Sequence, residues 1–165
     1  MQALARNPLY DRRFEHDACG LGLIARADGA RSRELVERAL AMLAAMEHRG
    51  ARGADPDTGD GAGLMLQVPD RLLRRFCRAE LELELPPAGH YAVAMCFLPT
   101  DPALRLRCEE LCVRISVEEG QQPLGWRDVP RDSSAIGRLA RESEPVVRQL
   151  LVAQGPTGDE LAFRR

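Results

Sequence analysis

Lysine is absent from the 165 residues, and all 23 basic side chains are arginine. Any mechanism that needs a lysine is excluded, and with it the Gly-x-x-x-x-Gly-Lys phosphate-binding loop. No run approaches the roughly 18 consecutive apolar residues of a membrane span. Residues 1–18 carry Arg6, Asp11, Arg12, Arg13 and Glu15 and lack an apolar core, so they do not read as a secretory signal. Neither sign of charge is in excess: the net charge of −2 offers no basic footprint for nucleic acid. Internal repeats and low-complexity linkers are also missing. Cysteine is scarce and odd in number, at Cys19, Cys77, Cys96, Cys108 and Cys112. That count, without secretory features, favours reduced thiols and a cytoplasmic setting. What is present is 45% hydrophobic and 29% charged, a balance suited to one soluble domain with a core.

Along the chain, short apolar runs alternate with amphipathic stretches. Leu21 to Arg26 reads as a strand, followed by a turn at Asp28-Gly29 and an N-cap at Ser32. From Arg33 to His48 the residues Leu35, Val36, Ala39, Leu40, Leu43 and Met46 share one helical face. Gly50 is the expected left-handed stop. A glycine-rich acidic loop runs to Gly63, Leu64 to Val68 returns as a strand, and Pro69 opens a helix through Leu72, Leu73 and Phe76. Tyr91 to Leu98 is apolar on both faces and is expected to be a buried strand. Asp101-Pro102 starts a second long helix with Leu104, Cys108, Leu111, Cys112 and Ile115 as its apolar stripe. Gln122 to Val129 and Val146 to Ala153 read as further strands, and Ser133 to Arg141 as loop or helix. The pattern predicts an α+β fold in layers.

Several chemical readings compete. An EF-hand beginning at Asp55 places Gly59 fifth, Asp60 sixth and Leu66 twelfth, which are the wrong residues for calcium. Cys108 and Cys112, one helical turn apart, have metal-ligand spacing, but their apolar neighbours favour the core, as for Cys77 and Cys96. His48 is either a general base or, with Arg49, a pair suited to the negative end of a helix dipole. His16 and His90 lie in polar loops without informative spacing. Cys19 stands at the leading edge of a strand with Gly20 and Gly22 behind it, where another group can approach the sulfur closely. A buried thiol and a nucleophile are both open for it on residue physics alone.

Glu15-His16-Asp17-Ala18-Cys19-Gly20-x-Gly22 resembles the start of the glutamate synthase large-chain family. The resemblance continues through His48-Arg49-Gly50-Ala51 and Gly53-Ala54-Asp55-Pro56-x-Thr58-Gly59-Asp60-Gly61-Ala62-Gly63. It extends to Phe97-Leu98-Pro99, Leu124-Gly125-Trp126-Arg127-Asp128-Val129-Pro130 and Glu144-Pro145-x-x-Arg148-Gln149. It implies a class II glutamine amidotransferase domain with the αββα sandwich of N-terminal-nucleophile hydrolases, here its amino-terminal part only. Residues 1–18 are then a propeptide-like leader and 19–165 the start of the amidotransferase domain. Cys19 is implied as nucleophile, with its freed α-amine as base, supported by Arg49 and Gly50. Glutamine is the implied substrate, and the ammonia passes to 2-oxoglutarate in the full enzyme.

The resemblance further implies FMN and an iron–sulfur cluster in the full enzyme, none in this segment, and as partners the rest of the large chain and a small subunit. In the family, the Asn-Gly oxyanion donors and the groups that hold the substrate carboxylate and amine come later than this segment. By itself the chain is therefore expected to be inactive. A non-catalytic globular fragment or binding module is the alternative.

Overall fold

The computed structural model describes residues 20–46, 55, 57–59 and 61–156. The chain divides into two compact units, Met1–Leu64 and Met65–Arg165.

In the first unit, helix α1 (Arg33–Ala45) follows an extended Ser32. It is braced by i,i+4 pairs from Arg33 to Glu37 at 2.8 Å and from Arg38 to Glu34 at 2.6 Å. The turn before it forms as expected: Gly29 takes φ +64 and its N–H donates to the Arg26 carbonyl. Arg26 also bonds Asp28 and holds that carboxyl down at about 2. The expected strand from Leu21 to Arg26 does not form, and neither does the one from Leu64 to Val68. A strand needs a paired neighbour, and neither segment has one among the described residues. Leu21 and Leu23 remain 95% and 90% exposed and Met65 99%.

The second unit is built on a three-stranded antiparallel sheet of β1 (Tyr91–Leu98), β2 (Gln122–Asp128) and β3 (Val146–Ala153), in the order β1-β3-β2. Tyr91 opposes Ala153 and Leu98 opposes Val146 across one ladder; Arg127 opposes Gln149 and Asp128 opposes Arg148 across the other. Three helices accompany the strands: α2 (Asp70–Leu81), α3 (Pro102–Glu118) and the short α4 (Arg138–Glu142). Asp101 caps α3 by accepting from the Leu104 N–H at 2.8 Å, with Pro102 in the first turn. Glu82 ends α2 in the left-handed region, at φ 52.

Neighbouring strand residues point to opposite faces. Arg127 reaches Glu80 of α2, while Arg148, opposite Asp128, reaches Glu109 of α3. The two helices therefore lie on opposite faces, giving the unit a helix–sheet–helix layering and confirming a mixed α/β architecture. The core is on the α2 side, where Leu73, Cys77, Leu85, Tyr91 and Leu151 pack together.

Two expectations need correcting. β1 is not buried on both faces: it is an outer strand of this sheet, with Met95 half exposed and Phe97 70% exposed. The central strand is β3, with Leu150, Leu151 and Ala153 all buried. Helix α3 also turns differently from its expected stripe. Of that stripe Cys108 and Cys112 are the more covered, but Leu104, Leu111 and Ile115 are 44–48% exposed, and Arg105, Glu109 and Ser116 are covered with the cysteines, as is Val113. That side lies roughly a quarter-turn round from the leucines.

Candidate active site

Of the residues expected to carry chemistry, Cys19, Arg49 and Gly50 all lie outside the described residues, as do His16, His48 and the leader 1–18. The first run of described residues begins directly after Cys19, at Gly20, and ends at Met46. The chain leaving Cys19 passes Gly22 against α1, so closely that a Cβ on Gly22 would stand 2.5 Å from the Met42 sulfur. Glycine there permits the segment following Cys19 to lie on α1, which precedes Arg49 in the chain.

The acidic glycine loop has its described part organised by Asp55. Its Oδ1 accepts from the Asp57 N–H at 3.2 Å, its Oδ2 from the Thr58 hydroxyl at 3.0 Å, and its carbonyl from the Thr58 N–H at 3.0 Å. Asp55, Asp57 and Thr58 are thus bonded to one another as in a turn, with the Asp55 carboxylate engaged in shaping the loop. Among the described residues no three His, Cys, Asp or Glu side chains converge as metal ligands.

The remaining motif residues meet in the second unit. Arg127, only 5% exposed, bonds Glu80 through Nε at 2.8 Å and Nη2 at 3.2 Å, bonds Gln149 at 3.1 Å, and stacks 4.4 Å from the Phe76 ring centre. Arg148 bonds Asp128 at 2.7 Å, pairs with Glu109 at 2.8 Å and lies over Trp126 at 5.4 Å. Arg131 holds Glu144 at 3.0 Å and the Pro145 carbonyl at 2.6 Å. Trp-Arg-Asp at 126–128 and Arg-Gln at 148–149 are therefore clamps between the sheet and its helices. Sequence reasoning matched these motifs without a role. Glu80 and Gln149 were not singled out as partners, because Arg127 lies 47 and 22 positions away from them.

Two concavities open on this unit. One, of about 520 Å³, is lined by Arg71, Arg74, Arg75, Arg78 and Ala79 on the outer side of α2. The other, of about 470 Å³, lies beside Arg105, Asp128, Arg131 and Arg148. Neither contains a nucleophile, and in the second each arginine already faces a carboxylate. His90 sits in a turn with Nδ1 3.0 Å from Gln154 Oε1. Of the described thiols only Cys77 is fully buried, packed against Leu151; Cys96, Cys108 and Cys112 are half-buried. Burial pushes the Cys77 and Cys96 thiols up.

Comparison with known proteins gives a consistent result. The family model for glutamine amidotransferases class-II matches residues 19–165. The chain is 42% identical over 158 residues to the glutamate synthase [NADPH] large chain of Bacillus subtilis (strain 168), an alignment covering 95% of this chain and 10% of that protein. That alignment is longer than the family match, so it includes residues ahead of Cys19. Identity is 40% over 152 residues to ferredoxin-dependent glutamate synthase 2 of Synechocystis, covering 91% of this chain and 10% of the relative. It is 36% over 165 residues to glutamate synthase [NADH] of Saccharomyces cerevisiae, covering 94% and 8%. The chain spans about a tenth of the length of the curated relatives it matches.

Proposed function

Because the chain belongs to the class-II glutamine amidotransferase family, with a match that begins at Cys19, we propose that Cys19 is the nucleophile of a glutamine-hydrolysing site. The single observation that carries the reading is the position of that boundary: the family match starts at the residue the chemistry requires to be first. The packing of Gly22 on Met42 supports it, since it holds the segment after Cys19 against α1, which precedes Arg49 in the chain.

In this reading residues 1–18 are a leader and 19–165 open the amidotransferase domain, a part of the αββα sandwich of N-terminal-nucleophile hydrolases. Cleavage after Ala18 frees the Cys19 α-amine. That amine has an ordinary pKa of about 7.7–8.0 against about 8.5 for a thiol, so one residue supplies both nucleophile and base. The amine takes the thiol proton as sulfur attacks the glutamine side-chain carbonyl. The C–N bond then breaks, and the same proton leaves on ammonia. Water hydrolyses the thioester, releasing glutamate and restoring the thiol. Arg49 positions Cys19, with Gly50 beside it as support. While Ala18 is attached, the nitrogen is an amide and cannot act as a base.

The larger setting is a glutamate synthase large chain in the cytoplasm. There the ammonia is added to 2-oxoglutarate, FMN and an iron–sulfur cluster supply the reducing chemistry, and a small subunit is a partner. The remainder of the large chain contributes the oxyanion donors and the groups that hold the glutamine carboxylate and amine. Each oxyanion donor is worth roughly 10²–10³ in turnover.

The test is N-terminal sequencing and a glutaminase assay on the large chain carrying this sequence, as wild type and as Cys19→Ala. Expected are a mature chain that begins at Cys19 and glutamate release that is lost on substitution. Undiminished glutamate release from the Cys19→Ala chain would sink the assignment.

A further inference from the structure

Outside the proposed site, the side of the sheet that faces α3 carries thiols that the mechanism does not use, Cys96 in β1 and Cys112 in α3. Cys96 of β1 stands directly opposite Arg148 of β3. Residues opposed across an antiparallel ladder share a face, so Cys96 lies on the side that Arg148 turns to α3. There the Arg148 guanidinium meets Glu109 at 2.8 Å. Cys112 follows Glu109 by three residues, one turn along the same side of the helix. The Cys96 thiol donates to the Ala94 carbonyl at 3.9 Å, and burial, then the neighbouring Cys112, pushes that thiol up. Both are free and half-buried, within reach of a small reagent. Cys77 is shut away in the core on the other side of the sheet, with Leu73 and Leu151.

We propose that Cys96 and Cys112 are a modification site, taking a reversible disulfide by exchange with a low-molecular-weight disulfide of the glutathione type. One protein thiolate attacks the small disulfide, whose S–S bond breaks, and a mixed disulfide forms as one small thiol leaves. The second protein thiolate then attacks the protein sulfur of that mixed disulfide and displaces the other small thiol. Two S–H bonds are lost and one S–S bond is formed. Both protons and both electrons depart with the two small thiols. The new bond ties α3 covalently to β1 and closes the segment from 96 to 112.

The test treats the chain with oxidised glutathione, then reads intact mass and maps linked peptides. The expected product is lighter by two hydrogens, carries no glutathione, joins the Cys96 and Cys112 peptides, and returns to its starting mass with dithiothreitol. Cys96→Ser and Cys112→Ser should each abolish the link and leave a glutathione adduct on the surviving thiol. Cys108→Ser should still form it. A wild-type chain that collects only single glutathione adducts, stays unmodified, or links Cys108 instead overturns the proposal. Far-ultraviolet dichroism of each serine variant separates loss of the bond from loss of the fold.

Discussion

Arg127 is the side chain on which the second unit most depends electrostatically. Its charge is almost fully withdrawn from water and balanced by Glu80, with Gln149 and the Phe76 ring completing its surroundings. Removing one partner of such a pair strands the other, whereas replacing the buried charge with an apolar chain removes the need for a partner. Glu80 is itself 42% exposed, so water makes up part of its loss. Glu80→Ala is expected to cost about 1–3 kcal/mol and Arg127→Met less, read from denaturant midpoints. The reverse order would show that Arg127 contributes mainly through packing on Phe76.

Tyr91 offers a pH signature at the same scale. Burial, then its donated bond to Asp70 at 3.0 Å, pushes the phenol from an ordinary value near 10 up to about 12. A raised folded value means that the stabilisation is complete below pH 10 and is lost as pH climbs toward 12. Equilibrium unfolding across that window should show stability falling, and Tyr91→Phe should flatten part of the slope. An unchanged slope would assign the loss to other groups, Cys77 and Cys96 among them.

At the level of elements, legibility followed how local the cause is. β1 and β3 begin and end where their apolar runs predict, and the Asp101-Pro102 start of α3 is fixed by a cap within four residues. Which strand is central depends on pairing, and no feature of Val146–Ala153 taken alone says that it is β3. The segments 21–26 and 64–68 have strand composition, yet composition supplies no hydrogen-bonding neighbour. The orientation of α3 is the plainest case. Its stripe runs through Leu104, Cys108, Leu111, Cys112 and Ile115, but Glu109 is drawn inward by Arg148, so that the two cysteines of the stripe are covered and Leu104, Leu111 and Ile115 are not. A contact between residues 39 positions apart outweighs a local stripe. Two substitutions separate the alternatives. Leu151→Ala, in the core, is expected to cost about 2–5 kcal/mol, while Leu111→Gln on the outward face should stay within about 0.5 kcal/mol. A large loss from Leu111→Gln in thermal or denaturant unfolding would mean that α3 packs by its leucines after all.

Over the whole molecule, the candidate site was legible by a different route from the fold. The physics around Cys19 left a buried thiol and a nucleophile open; it was the ordered run of motifs, from Cys19-Gly20-x-Gly22 through His48-Arg49-Gly50 to Trp126-Arg127-Asp128, that separated them. Those motifs divide by unit. The first unit carries the proposed chemistry, and the second carries Arg127 and Arg148, which clamp helices to a sheet. The chemistry in turn depends on one covalent fact, whether the Cys19 nitrogen is an amine or an amide. Deleting residues 2–18 from the large chain places Cys19 directly after the initiator methionine, whose removal exposes the same amine without the leader. Glutaminase activity should then appear in proportion to the fraction of chains that begin at Cys19, measured by intact mass. Since the amine must be unprotonated to take the thiol proton, kcat/KM for glutamine should rise with pH through about 8 and level off above it. Acetylating that amine should abolish turnover while leaving the thiol titratable. Full activity in chains that retain Met1, or in acetylated chains, would mean that another group removes the thiol proton.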